Sequence, residues 1–314
     1  MMSTPSVERD AEIAELLVGA VDLHCHSGPA AMPRILDHHE ALLDCAAAGF
    51  RALLYKDHFY LGVAHAAILE KLFPELGVKL FSGIALNNAS GGINPHAVDH
   101  ALAIGARIVW LPTLSAANHI DQMLGHASTF PKTARKMLDA IPLRATDANG
   151  QVSDATKQVL DLVAEADAIL AGGHLDAAEL IKVFEEAKRR GVNRLLVNHP
   201  GYLIGCTDDD IRALVGIGAY IEHSICMWIG GKARFTAADM LHMIEVAGVD
   251  RTILSSDLGQ QNAPRPLEGF RGMVRMLLDQ QVSKPDLRKL VATNAATLLG
   301  LEPAAGSGGQ TATA

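Results

Sequence analysis

The feature that most constrains this chain is a series of apolar, strand-like runs that alternate with helix-like segments. The runs are continuous rather than alternating in polarity, which is typical of parallel strands covered on both faces. A regular repeat of about thirty residues matches the length of one strand–helix–strand unit. Eight such units predict an α/β fold, a closed (β/α)₈ barrel of the TIM type. The predicted strands are Val21–His26, Ala52–His58, Lys79–Leu86, Arg107–Leu111, Ala168–Gly172, Arg194–Asn198, Ala219–His223 and Arg251–Ser256.

The helix-like segments carry start and stop signals at their ends. Each predicted start places a capping residue three positions before an acid, or a proline at the first helical position. Each predicted end is a glycine that leads into the next strand. An open doubly wound sheet fits less well, because no glycine-rich phosphate-binding motif follows the first strand. The starts are Asp37, Asn94-Pro95, Asp176, Thr207 and Thr236, and the ends are Gly49, Gly77, Gly105, Gly191, Gly218 and Gly248.

The repeat is interrupted once, between the fourth and fifth strands, where residues 115–166 hold extra material. We expect this insertion to form a lid over the C-terminal face of the barrel, with Asn149-Gly150 in a tight hairpin turn. The predicted organisation is an N-terminal helical extension over residues 1–19 and a barrel over residues 20–301. A small-residue tail over residues 302–314 is expected to be disordered.

Charge and cysteine usage exclude several functional classes. The net charge is −8 with no large basic cluster, which disfavours nucleic acid as a partner. No apolar run approaches the length of a membrane span, and the first residues lack a secretory signal. The four cysteines show no disulfide spacing, as expected in a reducing compartment. We therefore expect a cytoplasmic homo-oligomer that acts on a small-molecule substrate, without nucleic acid or membrane partners.

Histidines and acids are concentrated at the C-terminal tips of the predicted strands, where barrel active sites lie. The first strand ends in His24-Cys25-His26, and side chains two apart on a strand point the same way. Buried imidazoles and carboxylates are costly unless they are paired or ligated, so this set predicts a metal site. The other tips supply Lys56 and His58, His174, His199, Glu222 and His223, and Asp257.

The ordered set on strands 1, 5, 6 and 8 resembles that of the metal-dependent amidohydrolase superfamily. The closing segment Ala292–Gly300 is similar to one that often follows the last barrel strand there. Within that superfamily the chain looks closest to a poorly characterised, amidohydrolase-like group. The resemblance implies one or two divalent ions, first Zn²⁺ with Mn²⁺ as an alternative. The implied ligands are His24, His26, His174, His199 and Asp257.

The chain departs from the superfamily at strand 4, where many members carry a carboxylated lysine or a glutamate that bridges two metals. Here that tip reads Trp110-Leu-Pro-Thr113. Lys56 on strand 2 is the candidate replacement, as a carboxylated bridging ligand, because an ammonium beside a dication is disfavoured. Alternatively, Lys56 remains a cation that binds an anionic substrate or an oxyanion. A third interpretation is a single-metal site in which His199 only orients its neighbours or contacts substrate.

These residues predict a metal-dependent hydrolase in which a metal-activated water cleaves an amide, cyclic amide, lactone or ester. Asp257 is the expected general acid–base, with Lys56 and His199 as further catalytic groups. An alternative on the same scaffold is a decarboxylase or hydratase of a small unsaturated carboxylic acid. A further alternative is a non-catalytic metal-binding or ligand-binding barrel. The candidates for substrate contact are Arg34, His58, His119 and Glu222.

Overall fold

In a computed structural model, which describes residues 4–124, 132–231 and 233–302, eight parallel strands pair in chain order. His26 N donates to Leu258 O (2.9 Å) and Asp257 N donates to His24 O (2.7 Å), which joins the last strand to the first. The predicted (β/α)₈ barrel is therefore confirmed. The strands are β1 (Val21–Cys25), β2 (Ala52–Tyr55), β3 (Lys79–Ala85), β4 (Ile108–Trp110), β5 (Ile169–Ala171), β6 (Arg194–Asn198), β7 (Tyr220–Ser224) and β8 (Thr252–Ser255).

Helices lie between successive strands, and α1 packs against α10 and α11. The helices are α1 (Thr4–Leu17), α2 (His38–Ala47), α3 (Val63–Leu72), α4 (Pro95–Ala103), α5 (Ala117–Met123), α6 (Asp154–Glu165), α7 (Ala177–Arg189), α8 (Asp208–Ile217), α9 (Ala237–Ala247), α10 (Pro266–Asp279), α11 (Lys284–Arg288) and α12 (Asn294–Leu299). In the described part of the chain, none of them combines the length and apolar character needed to cross a bilayer.

The predicted helix starts are confirmed by their hydrogen bonds. At the start of α2, Asp37 Oδ1 accepts from Glu40 N (2.7 Å) and Glu40 Oε2 accepts from Asp37 N (2.8 Å). Thr207 and Thr236 form the same reciprocal pair with the acids three residues on. Since each pair satisfies amide groups that have no partner within the helix, the chain specifies where these helices begin.

The extra material between β4 and β5 is shorter than predicted. Helix α6 packs against α4 and α7, so it belongs to the ring of barrel helices and not to an insertion. The predicted hairpin is present, because Thr146 pairs with Val152 and Gly150 N donates to Asp147 O (2.9 Å). The lid role of residues 115–153 stays a prediction. Residues 125–131, and residues 303–314 of the predicted tail, lie outside the described residues.

The barrel interior changes from apolar to polar towards the C-terminal ends of its strands. Leu54, Leu196 and Ile253 belong to one buried cluster, which α12 closes at the other end. Asn198 follows Leu196 by two residues on β6, and Lys56 follows Leu54 by two residues, just past the end of β2. Both side chains are buried. Because inward positions recur every second residue, the strands place their first inward polar groups in one layer. This layer is the base of the candidate site.

Asn294 provides a test of how the last helix is attached to the barrel. Its Nδ2 donates to Val249 O (2.8 Å) and to Thr252 O (2.7 Å) at the start of β8. We expect Asn294→Ala to lower the free energy of unfolding by about 1–3 kcal/mol, because two carbonyls lose their donor. Urea denaturation measures the loss. Asn193→Ala, at an exposed asparagine, is the control, and an equal loss in both variants would contradict the attachment.

Candidate metal centre

Three side chains converge where β1 meets β8. His24 Nε2 lies 3.3 Å from Asp257 Oδ1, and His26 Nε2 lies 3.1 Å from the same oxygen. The three residues are buried, and their ligand atoms lie within 4.8 Å of one another. Two imidazole nitrogens and one carboxylate oxygen are thereby brought to a common point at the rim of the barrel.

The groups behind the two imidazoles set their orientation. His24 Nδ1 lies 2.6 Å from Glu222 Oε1, and His26 Nδ1 lies 2.9 Å from the carbonyl oxygen of Lys56. A carboxylate and a carbonyl can only accept, so each ring carries its proton on Nδ1. Each Nε2 therefore directs a lone pair towards Asp257. Histidine ligands of metal ions in proteins are held by this kind of hydrogen bond.

This donor set fits a divalent cation. Two lone pairs and a carboxylate at one point repel one another unless a positive charge lies between them. Neutral imidazole and carboxylate are ligands that suit Zn²⁺ and related divalent ions. Burial, followed by the nearby Arg34, lowers the pKa of His26 to about 3, which keeps this ring in the neutral form that binds metal.

A second group of imidazoles continues round the same rim. The rings of His58 and His174 lie 6.3 Å apart, and those of His174 and His199 lie 5.3 Å apart. Burial lowers the pKa of all three, that of His199 to about 4. These rings are therefore neutral near pH 7. The structure thus brings together the four histidines that the sequence predicted as ligands, and adds His58 beside them.

Hydroxyl groups contact the Nδ1 atoms of two of these imidazoles, and they bear on whether each Nε2 is a donor or an acceptor. Ser224 Oγ lies 3.4 Å from Glu222 Oε1 and 2.6 Å from His199 Nδ1. A hydroxyl that donates to the carboxylate accepts from His199, whose Nε2 then carries a lone pair. Thr113 Oγ1 instead accepts from Asn87 Nδ2 (2.6 Å) and lies 2.9 Å from His58 Nδ1. A proton donated by Thr113 to His58 Nδ1 would leave the Nε2–H of His58 as a donor.

Asp257 sits in a constrained backbone conformation. Its φ is +46°, in the left-handed region that residues other than glycine rarely adopt, and His199 has a φ of +39°. Such strain persists where the surrounding structure holds it in place, and it is common at functional sites. Burial acts to raise the pKa of Asp257, but the charge of His24 and His199 when protonated and a hydrogen bond from His26 outweigh it and hold that pKa well below its usual range. The carboxylate is therefore ionised.

Lys56 occupies the centre of the rim. Its Nζ lies 2.9 Å from His24 Nε2 and 5.4 Å from the centre of the Trp110 ring. Burial lowers the pKa of this amine, while Asp257 and Glu222 act in the opposite direction. The amine and a metal ion would compete for the same His24 lone pair. The three interpretations of Lys56 drawn from the sequence therefore remain open.

The cavity in front of these groups has a volume of about 540 Å³. Its described lining comes from the segments after β1, β2, β5, β6, β7 and β8, with no residue from 115–153 among them. Of the four residues expected to contact substrate, Arg34 and His58 line the cavity. Glu222 is instead buried behind His24, and His119 lies behind His174 with their Nδ1 atoms 2.9 Å apart.

Several supporting residues were not found from the sequence. Asp22 Oδ1 accepts from His24 N (3.0 Å) and from Ser256 N (2.9 Å), which fastens β1 to β8 beside the site. Asn87 Oδ1 accepts from Thr113 N (2.8 Å) and fixes the tip of β4. The available signal was the position of Asn87 just past the end of β3. An asparagine there has many explanations, so its partners follow only from the fold.

Comparison with known families identifies the chain. A family model described as a family of unknown function, DUF6282, matches residues 19–222. The chain belongs to the DUF6282 family. The match includes every candidate ligand from His24 to His199, whereas Asp257 lies beyond it. The expected placement in a poorly characterised group is confirmed. Among curated proteins no relative matches.

Solved structures of enzymes share the fold of this DUF6282 protein. A probable dipeptidase, PvdM, from Pseudomonas aeruginosa is 11% identical with a TM-score of 0.64, over 95% of this chain and 98% of that one. An amidohydrolase from the same organism is 12% identical with a TM-score of 0.61, over 92% and 98%. An organophosphorus hydrolase from Deinococcus radiodurans is 15% identical with a TM-score of 0.55, over 92% and 94%. The expected amidohydrolase resemblance is thus confirmed for the fold.

The role of Glu222 can be tested through metal affinity. We expect Glu222→Gln to weaken binding of Zn²⁺ by about 10- to 100-fold, because a neutral amide holds the His24 ring less firmly than a carboxylate. Competition with a chromophoric chelator measures the affinity. Glu245→Gln, at an exposed glutamate, should bind like the wild type. Equal affinities in the two variants would show that the carboxylate behind His24 does not support a ligand.

Proposed function

We propose that this protein is a metal-dependent hydrolase that cleaves an amide, cyclic amide, lactone or ester bond of a small molecule. The observation that carries the proposal is the convergence of His24 Nε2, His26 Nε2 and Asp257 Oδ1 beside the cavity. The neighbouring folds belong to an amidohydrolase, a probable dipeptidase and an organophosphorus hydrolase, which supports hydrolysis as the reaction type.

His24, His26 and Asp257 are the proposed ligands of a first Zn²⁺ ion, with His174 and His199 available to a second. When bound, such an ion supplies a water of pKa about 7 and polarises a carbonyl oxygen. Mn²⁺ suits the same nitrogen and oxygen set. The deep position of these groups at the C-terminal face matches the place where barrel enzymes carry out their chemistry.

The protein groups divide the remaining tasks between them. Asp257 Oδ2 accepts the proton of the attacking water and returns it to the leaving group. With its Nδ1 accepting from Thr113, His58 donates its Nε2–H towards the oxyanion that develops on the carbonyl. Cys226 Sγ, 3.5 Å from Asp257 Oδ2, donates weakly to that carboxylate and limits its rotation.

Replacing Asp257 tests the proton-transfer step. We expect Asp257→Asn to lower turnover by about 10²- to 10⁴-fold while metal remains bound, because an amide still offers an oxygen ligand but takes up no proton. Turnover is followed on a panel of acyl substrates with added Zn²⁺, and metal content is measured on the same samples. Asp209→Asn, at an exposed aspartate of α8, is the matched control. A metal-loaded Asp257→Asn enzyme with normal turnover would refute the assigned role.

Carboxylation of Lys56 is the proposed way to resolve its competition with metal for His24. The amine nitrogen attacks carbon dioxide, a C–N bond forms, and a proton is released, which leaves a carbamate in place of a cation. We expect native mass spectrometry to show two metal ions and the added mass of one carbon dioxide when bicarbonate is present. Lys56→Arg should lose both the added mass and the second ion. One ion per chain without the added mass would end the bridging proposal.

A further inference from the structure

The charges that line the cavity differ in sign from those of the protein as a whole. The chain has a net charge of −8, yet Asp257 is the one acid among the described cavity residues. Two arginines, Arg34 and Arg234, line the same space. A cavity of one sign within a protein of the other concentrates ligands of complementary charge. The lining therefore favours an anionic ligand.

Arg34 is half-buried and forms no ion pair with the described residues. Its Nε is buried without a hydrogen-bond acceptor, and among described residues no carboxylate oxygen lies within the 4.0 Å of an ion pair. Its NH2 group lies 3.3 Å from His26 Nδ1, but that nitrogen donates to Lys56 O and offers no lone pair. By contrast, Arg265 is paired with Asp44 at 2.7 Å. An unpaired, desolvated cation is costly until an anion reaches it.

The backbone holds this guanidinium at the cavity. Arg34 pairs with Gln260 in an isolated bridge, and Ile35 N donates to Gly259 O (2.9 Å). The loop after β1 is thereby joined to the loop after β8, which carries Asp257. Arg34 is consequently placed beside the candidate metal centre by two elements of the barrel. A side chain fixed in this way offers its planar fork to a ligand at low entropic cost.

The rest of the wall is apolar and indicates what surrounds the anionic group. Met32, Leu203, Met227, Ile229 and Leu258 line the cavity beside the polar floor. A cavity of about 540 Å³ with this lining accommodates a small molecule that has an apolar body. The ligand that matches both features carries one carboxylate and an aliphatic or aromatic group.

We propose that the substrate is a carboxylate-bearing amide or ester with an apolar body, and that Arg34 binds its carboxylate through a bidentate pair. Arg34 is then a specificity-determining residue, and Arg234 adds to the local positive potential. The proposal rests on the proposed hydrolase function and names its substrate class. Because Arg34 NH2 lies near His26, the carboxylate is held within a few bonds of the carbon that is attacked.

The test compares two probes of equal shape, 3-phenylpropanoate and the neutral 3-phenylpropanamide, by isothermal titration calorimetry on the zinc-loaded full chain. We expect the carboxylate to bind the wild type at least about tenfold more tightly. Arg34→Gln should remove that preference, Arg34→Lys should restore part of it, and Arg271→Gln, on the exposed face of α10, should keep it. Melting temperature and zinc content should match the wild type in each variant.

Two results would overturn the proposal. The first is equal binding of the two probes by the wild type. The second is a preference for the carboxylate that survives Arg34→Gln, because the metal ion alone would then account for it. Binding is measured without turnover, so the two proposals can fail separately. An Arg34-dependent preference without hydrolysis of any acyl substrate refutes the hydrolase alone, and hydrolysis without the preference refutes the carboxylate assignment alone.

Discussion

The candidate site depends on hydrogen bonds made on the far side of its imidazoles. Glu222 and the Lys56 carbonyl each take a proton from Nδ1, so that His24 and His26 present lone pairs to one point. A proton from Thr113, which itself accepts from Asn87, would give His58 the opposite character, as a donor. One residue type thus performs two chemical tasks on the same rim, and the difference is set by neighbours that never reach the cavity.

Much of the architecture follows from local sequence. Eight continuous apolar runs and the capping residues at Asp37, Thr207 and Thr236 predict the barrel, because each depends on chemistry within a few residues. The candidate ligands were also predictable, since a parallel barrel brings all strand tips to one face. Strand alternation turns only one of Glu222 and His223 inward without deciding which, and the structure places Glu222 against His24 and His223 against Trp228.

The parts that resisted prediction depend on contacts between distant segments. The lid expected over 115–166 included α6, whose spacing alone does not tell a barrel helix from an inserted one. Much of the cavity lining comes from loops after β7 and β8 that carry no regular pattern. The pairing of Asp22 with Ser256 joins residues from the first and last strands of the barrel, and no periodicity encodes such a contact. Arg34 was a candidate, but its missing partner became visible only in three dimensions.

The same hydrogen bonds close the barrel and bring the candidate ligands together. The hydrogen bonds that close the sheet run between His24, His26 and the segment Asp257–Leu258, which are the candidate ligands and their neighbours. Gly259 is needed at this seam, because its φ is +120° and a Cβ there would lie 1.6 Å from His26 O. A cation bound by His24, His26 and Asp257 binds only the closed form, so its binding free energy adds to the stability of the seam. The contact between β1 and β8 therefore both closes the barrel and positions the residues proposed to bind the metal.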